Sequence, residues 1–316
     1  MNLLFAPFQG ITIARYRSEH AAIFGGVESY YAPFIVATER EKSSKVLFRD
    51  VFAEDNDTNR IVPQLLSNNG RDFNYFASQI VDMGYKEINW NIGCPYPMVT
   101  KKKRGSGILP YPDMIRSFLD EVCRVKHFDL TVKMRLGLKS TKEGIKVIEA
   151  LNDYPLSGVM IHPRTGNQLY KGTVDLESFE QLAPLCKHPL TYNGDIFTYD
   201  DFKKIQMRFP NINSFMLGRG LLRDPFLAAR IKGQVFTTSE KISKLRTFHD
   251  AIYTYYQEKI NGDKKLCNKM KEFWVYTSAH LDPDGSLLQE LKYSQSSITY
   301  LHVVDKLLNP NNNWND

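Results

Sequence analysis

Residues 87–93 read EINWNIG and residues 130–136 read LTVKMRL. Each is a short, nearly continuous apolar run, the pattern of a strand buried on both faces. Between them, Pro112–Val125 sets Ile115, Leu119 and Val122 on one helical face. The same unit recurs outward in both directions. Upstream lie Asn2–Pro7 (NLLFAP), Tyr30–Ile35 (YYAPFI) and Ile61–Leu66 (IVPQLL). Downstream lie Gly158–Pro163 (GVMIHP), Pro189–Asn193 (PLTYN) and Ser214–Gly218 (SFMLG). Helical patterns fill most gaps. Asp72–Met83 aligns Phe73, Phe76, Ile80 and Met83, and Thr141–Leu151 aligns Ile145, Ile148 and Leu151. The segment after the second strand shows no long helix. Eight such alternations favour an α/β fold of the TIM (β/α)8 barrel type over an open doubly wound sheet. No GxGxxG follows the first strand, which counts against a dinucleotide-binding start.

After Gly233 the strand pattern stops. Ile242, Leu245, Phe248, Ile252, Tyr255 and Tyr256 repeat at helical spacing, as do Leu266, Met270, Phe273, Trp274 and Thr277. Leu287, Leu288 and Leu291, then Ile298, Leu301, Val304 and Leu308, suggest two further helices beyond the turn at Asp282–Gly285. The chain is therefore expected to divide into a barrel over 1–235 and a small helical bundle over 236–316. The polar tail NPNNNWND is expected to fray.

Lys and Arg number 41 against 35 Asp and Glu, a formal charge of +6. From Gly233 onward ten basic residues balance ten acidic ones, so the surplus lies in the larger N-terminal part. That favours a polyanionic partner weakly and assigns its long-range attraction to the barrel. The cysteines Cys94, Cys123, Cys186 and Cys267 show no metal-type spacing, so neither a metal site nor a disulfide framework is expected. No stretch approaches the ~20 apolar residues of a membrane span, and the opening MNLLFAPFQG lacks a signal-peptide pattern. A cytoplasmic monomer is the expectation.

In a TIM barrel, chemistry gathers where strands end at the C-terminal face. Those ends carry Pro7-Phe8-Gln9, Gln64, Cys94, Lys133 with Arg135, His162, Asn193-Gly194-Asp195 and Gly218-Arg219. Lys133 and Arg135 are two apart and share a strand face. A lysine inside an apolar strand is costly unless it meets an anionic or electron-rich partner. The glycines after strands seven and eight allow close approach of a phosphate. Cys94, on a loop stiffened by Pro95 and Pro97, is the candidate acid. Most lone cysteines are packing residues; its place at the catalytic face argues otherwise. Lys101, Lys102, Lys103 and Arg104 follow on the same loop and suit phosphate contact as well as simple solvation.

These segments, taken in order, resemble the tRNA-dihydrouridine synthase family. NWNIGCPYPMVTKKKRGSGIL at 89–109 is similar to the family's NxGCP…V…K…GS…L signature. APFQGIT at 6–12 resembles its opening flavin loop, although Phe8 and Ile13 stand where the family commonly has methionine and aspartate. VPQLL, VKMRLG, IHPRT, YNGDI and MLGRGLL match further elements in the family's order, over residues 1 to about 232.

The resemblance implies an enzyme that reduces uridine in tRNA to 5,6-dihydrouridine with FMN and NADPH. By resemblance Pro7, Phe8, Gln9, Gln64, Lys133, His162, Asn193, Gly194, Asp195, Gly218 and Arg219 contact FMN, and Cys94 is the general acid. Lys101, Lys102, Lys103, Arg104 and Arg135 are the expected RNA contacts, and the helical tail suits the family's tRNA-binding domain. Two other readings stay open. One is a dihydroorotate dehydrogenase-like flavoprotein, which needs neither the lysine run nor the helical tail. The other is a non-catalytic RNA-binding barrel.

Overall fold

Strand β1 (Asn2–Phe5) lies between two parallel neighbours, β2 (Ser29–Tyr31) and β10 (Ser214–Leu217). This computed structural model describes residues 1–37 and 45–315. Residues 38–44 of the expected barrel range and Asp316 of the expected helical range lie outside the described residues. The remaining strands are β3 (Ile35–Val36), β4 (Ile61–Val62), β5 (Gln64–Leu66), β6 (Glu87–Ile92), β7 (Asp129–Gly137), β8 (Gly158–Thr165) and β9 (Leu190–Tyr192). All pair in parallel, in the order β3-β5-β6-β7-β8-β9-β10-β1-β2-β4.

The two ends of that order are halves of the same staves. β2 continues into β3 through Pro33, and β4 continues into β5 across Pro63. β2 pairs with β4 and β3 pairs with β5, so the ring closes into eight staves. Proline supplies no N–H to a ladder, which explains the breaks without a change of chain direction. Neighbouring amides carry the pairing across them: Ala32 N donates to Val62 O at 2.9 Å and Ala37 N to Leu66 O at 3.0 Å. The (β/α)8 reading holds, with the second and third staves each split in two. The segment after β3, where no long helix was expected, includes short 3-10 turns at Lys45–Phe48 and Ala53–Asp55.

Side-chain parity then separates the barrel interior from the layer that faces the helices. Ile88, Trp90 and Ile92 of β6 are fully buried, and Trp90 stacks at 3.8 Å on Phe118 of helix α4 (Pro112–Cys123), which starts on a proline. The alternate residues Glu87, Asn89 and Asn91 join a side-chain network with Gln64 of β5 and Thr131 of β7. Leu4, Ala6, Tyr31, Val62, Met160 and Met216 form an apolar cluster with Phe8 packed against it. One side of the interior is thus polar and the other apolar.

Close contacts divide the described residues into two units. The first is 1–9, 28–195 and 204–218, which contains all the strands. The second is 10–27, 196–203 and 219–316. The second unit holds α1 (Ala14–Ile23), the short α8 (Arg219–Arg223) and α9 (Leu227–Ile231), and the four long-expected helices α10 (Thr238–Lys259), α11 (Asp263–Thr277), α12 (Ser286–Tyr293) and α13 (Ser297–Leu307). A capping box of Thr237 and Glu240 starts α10. Tyr16 of α1 meets Phe248 of α10 edge to face at 4.9 Å. Buried His249 bonds Tyr300 at 2.8 Å, and Tyr300 accepts from Trp274 at 2.9 Å, tying α10, α11 and α13. The tail does not fray as expected. Trp314 is buried, stacks on His280 at 4.9 Å and meets Phe226, while Asn315 N donates to His280 O. An indole in an otherwise polar tail has apolar area to bury, and that outweighs the entropy of a loose end. No helix among the described residues is long and apolar enough to cross a membrane.

Candidate active site

Cys94 follows β6 directly, and the polypeptide around it is held from two sides. Asn91 Oδ1 accepts from the amides of Gly93 at 3.0 Å and Cys94 at 2.9 Å. From the other side, Ser106 donates through its amide (2.9 Å) and hydroxyl (3.1 Å) to Cys94 O. Gly105 sits beneath with φ +53°, and a Cβ there would stand 2.5 Å from Cys94 O. The glycine is required twice, by conformation and by space. The GSG of 105–107 therefore backs the cysteine, a role that the basic run before it concealed. Cys94 is buried, and burial pushes its thiol up; the Tyr96 amide and the positive charges of Arg135 and Lys133 oppose this without reversing it. The thiol keeps its proton at neutral pH.

Asn91 lies opposite Lys133 in the register of β6 and β7, and Arg135 lies opposite His162 in that of β7 and β8. Cys94, Lys133, Arg135 and His162 thus come together near the C-terminal ends of three adjacent staves. Lys133 makes no hydrogen bond or ion pair among the described residues. Burial first, and Arg135 second, lower its pKa from 10.5 to about 7. Arg135 donates through Nε to Gly93 O at 3.1 Å and through Nη1 to Thr165 O at 2.8 Å and Leu169 O at 2.7 Å. It also lies 5.4 Å from the ring of exposed Tyr170. His162 is held well below its ordinary value by burial and by Arg135, Lys133 and Arg164, so its ring is neutral at pH 7.

Gln64 and Asn193 are buried, with Asn193 Nδ2 donating to Met216 O at 2.7 Å. Gly194 is walled by Val174, Pro163 and Tyr192, with room for no side chain, and Asp195 adopts φ +35°. Arg164, two residues beyond His162, is 1% exposed and grips Asp195 through both carboxylate oxygens, at 2.9 and 2.5 Å. It also donates to Gly172 O. Strand parity places Arg164 with His162, a signal present in the sequence but not used there. Pro7 and Phe8 are half-buried and Gln9 is exposed after β1, and Phe8 reaches within 3.4 Å of the position a Gly218 Cβ would take. Arg219 opens α8 in the second unit, with its guanidinium 5.2 Å from the Phe197 ring. Lys101, Lys102 and Lys103 are exposed; Lys103 lies 4.4 Å from the Tyr111 ring, and Arg104 donates to Asn68 at 3.2 Å.

The donor set suits a planar, electron-rich group with a phosphate: an unpartnered lysine, amide side chains, a neutral imidazole and glycine-lined turns. The family model "Dihydrouridine synthase (Dus)" matches residues 4–305. The chain belongs to the dihydrouridine synthase family. A tRNA-dihydrouridine(16) synthase of Neisseria meningitidis serogroup A is 29% identical over 305 residues, covering 92% of this chain and 90% of that protein. The one of serogroup B is 30% identical over 239 residues, 73% and 71% of the two chains. Among solved structures, morphinone reductase superposes with a TM-score of 0.51 at 11% identity, over 75% of this chain and 87% of that one. That last likeness concerns the fold alone. As a dihydrouridine synthase family member, the chain carries Cys94 and Lys133 within the segments whose resemblance to the family was set out above.

Proposed function

We propose that this chain is a cytoplasmic, monomeric flavoenzyme that reduces uridine in tRNA to 5,6-dihydrouridine, using FMN and NADPH. The observation that supports it most is a thiol that keeps its proton near a half-buried lysine that makes no hydrogen bond or ion pair among the described residues. Pro7, Phe8, Gln9, Gln64, Lys133, His162, Asn193, Gly194, Asp195, Gly218 and Arg219 would hold FMN. Lys133 would meet the electron-rich edge of its ring system, and the glycines and Arg219 would meet its phosphate. When bound and reduced by NADPH, FMN supplies a hydride to C6 of the uracil.

Cys94 completes the addition by passing its Sγ proton to C5, so the C5=C6 double bond becomes C–H on both carbons. Solvent then reprotonates the thiolate. A thiol poised too low would spend its proton before the uracil arrives, so the upward shift at Cys94 serves an acid. Neutral His162 and the Gln64 amide would orient polar atoms without adding charge. Arg135, by gathering the carbonyls of Gly93, Thr165 and Leu169, would tie the segment after β6 to the one after β8 beside the substrate. Lys101, Lys102, Lys103 and Arg104 would contact RNA phosphates, and residues 236–316 would form the tRNA-binding domain. The target base has to leave its loop to enter the barrel. Two relatives carry names that specify uridine 16, which supports that position as the target.

The test is anaerobic stopped-flow on the FMN-loaded protein, with flavin reduction by NADPH and reoxidation by unmodified tRNA followed separately. Cys94→Ala should reduce normally and lose tRNA-driven reoxidation by about a hundredfold or more. Wild-type reoxidation in that variant removes Cys94 from the chemistry. Indifference of wild-type reduced flavin to tRNA, with turnover of free orotate, would favour the dihydroorotate dehydrogenase-like reading.

A further inference from the structure

Six side chains form a continuous hydrogen-bonded chain up one wall of the barrel. At its foot, Glu87 Oε1 accepts from Tyr31 OH at 3.0 Å and from Thr131 Oγ1 at 2.7 Å. Thr131 Oγ1 accepts from Asn89 Nδ2 at 2.9 Å, and Asn89 Oδ1 accepts from Gln64 Nε2 at 2.7 Å. Gln64 Oε1 accepts from Asn91 Nδ2 at 2.7 Å. Asn91 Oδ1 then takes the two amides of Gly93 and Cys94. Gln64, Asn89 and Thr131 are direct cross-strand partners, so they form one layer, with Glu87 one step below and Asn91 one step above.

Every bond in this chain points the same way, from the Cys94 loop down to the carboxylate. The two ends dictate that direction. Backbone amides can only donate. At the other end Glu87 Oε1 accepts from two hydroxyls; burial raises the pKa of this carboxyl, and the bonds from Thr131 and Tyr31 oppose that rise by favouring its charged, accepting form. Each amide side chain between them could turn over by 180° at little steric cost. A turned Asn91 would set its NH2 against two N–H groups and free the Cys94 loop.

We propose that Glu87 is a positioning residue for the proton-donor loop: as the accepting end of the chain Thr131–Asn89–Gln64–Asn91, it keeps Asn91 Oδ1 turned toward the amides of Gly93 and Cys94. Glu87 touches neither the cysteine nor the expected substrate space; it acts through four intervening side chains. This inference rests on the proposed reaction for its kinetic readout, and a second readout is free of it.

Three variants of the FMN-loaded protein test it. Glu87→Leu removes the accepting end, Thr131→Val cuts the chain above it, and Glu87→Gln keeps an accepting oxygen. Glu87→Leu and Thr131→Val should each slow flavin reoxidation by tRNA about tenfold, with NADPH reduction and the tRNA KM unchanged. The double variant should be no slower than the slower single, because both cut one chain. Glu87→Gln should stay within about threefold of wild type.

The independent readout is alkylation of Cys94 by iodoacetamide, followed by mass spectrometry of the Cys94 peptide. It should quicken several-fold in Glu87→Leu and Thr131→Val and stay near wild type in Glu87→Gln. Loss of tRNA-driven reoxidation in the wild type would overturn the functional reading alone, and the alkylation series would still decide the positioning role. Wild-type alkylation in both cut variants, or multiplicative effects in the double variant, would overturn the positioning role.

Discussion

Replacing Lys133 with methionine isolates the cost of enclosing its ammonium, since methionine keeps the unbranched stem and removes the charge. Burial and Arg135 bring the folded-state pKa of Lys133 from 10.5 to about 7. In the unfolded chain the amine titrates near its ordinary value of about 10.4. Between about pH 7 and about pH 10.4 the unfolded chain holds this proton more often than the folded one, so stability rises with pH across that window. Below the window both states are charged and the folded chain bears the whole penalty. Above it both are neutral and the penalty is gone. At 1.36 kcal/mol per pH unit the full window corresponds to at most about 5 kcal/mol.

The measurement is urea unfolding of FMN-free wild type and Lys133→Met, compared as a difference at each pH so that other titrating groups cancel. Between about pH 6.5 and about pH 9.5 the difference should move in favour of wild type by about 3 kcal/mol. If FMN binds as proposed, with an electron-rich edge near Nζ, it would draw the pKa back up and the pH dependence should shrink. A difference that stays constant with pH in the FMN-free proteins would refute the assignment of Lys133 as a half-buried amine of lowered pKa.

Removing one member of the Arg164–Asp195 pair should be worse than removing both. Arg164→Met or Asp195→Leu alone should cost about 3 kcal/mol in urea unfolding, and the double variant less than the sum, because a single change strands a buried charge. Gly105→Ala should slow tRNA-driven reoxidation by about tenfold or more while NADPH reduction persists, since its Cβ can fit only by moving the Cys94 carbonyl. Replacing Lys101, Lys102 and Lys103 together with alanine should weaken tRNA binding and flatten its dependence on log salt by about 2, read from titrations at several salt concentrations. An unchanged salt slope would make that run a solvated face.

The barrel was legible because its strands are buried on both faces and therefore read as apolar runs, the helices between them as one-sided patterns. What escaped notice follows from residues whose effect is local or distant. Pro33 and Pro63 sit inside runs that looked continuous, yet each interrupts a ladder. Helix α1 has a nearly uniform mix of polar and apolar residues, with Arg17 and His20 buried, so no stripe announced it. Trp314 is a single residue in a polar tail, and its burial depends on His280 and Phe226, which are far away in sequence. At the site, period-two spacing was enough to pair Lys133 with Arg135. The same rule extends to His162 with Arg164 and to Glu87, Asn89 and Asn91. Arg164 and the amides carry no such mark in the sequence, because a polar residue near a strand end is ordinary. Their partners, Asp195, Gly172 and Thr131, become visible only once neighbouring strands are in register.

Lys133 and Arg135 show why strand parity locates a site without assigning its parts. Both project from the same face of β7, and both are cations in a confined space. A guanidinium offers five N–H donors in a fixed fork, and Arg135 spends three contacts on the carbonyls of Gly93, Thr165 and Leu169. Its charge is stabilised by those oxygens whatever else is bound. An ammonium is a compact charge on a flexible stem, and Lys133 makes no hydrogen bond to such an oxygen among the described residues. Its protonation is therefore the adjustable quantity at the mouth of the barrel. It lies near neutrality when the lysine is alone and is driven upward by an anionic or electron-rich neighbour. Exchanging the two residues would reverse these duties: Lys133→Arg would place a permanent charge where an adjustable one stands, and Arg135→Lys would leave at least one loop carbonyl without its donor. Neither exchange is conservative here, although both preserve charge, strand and face.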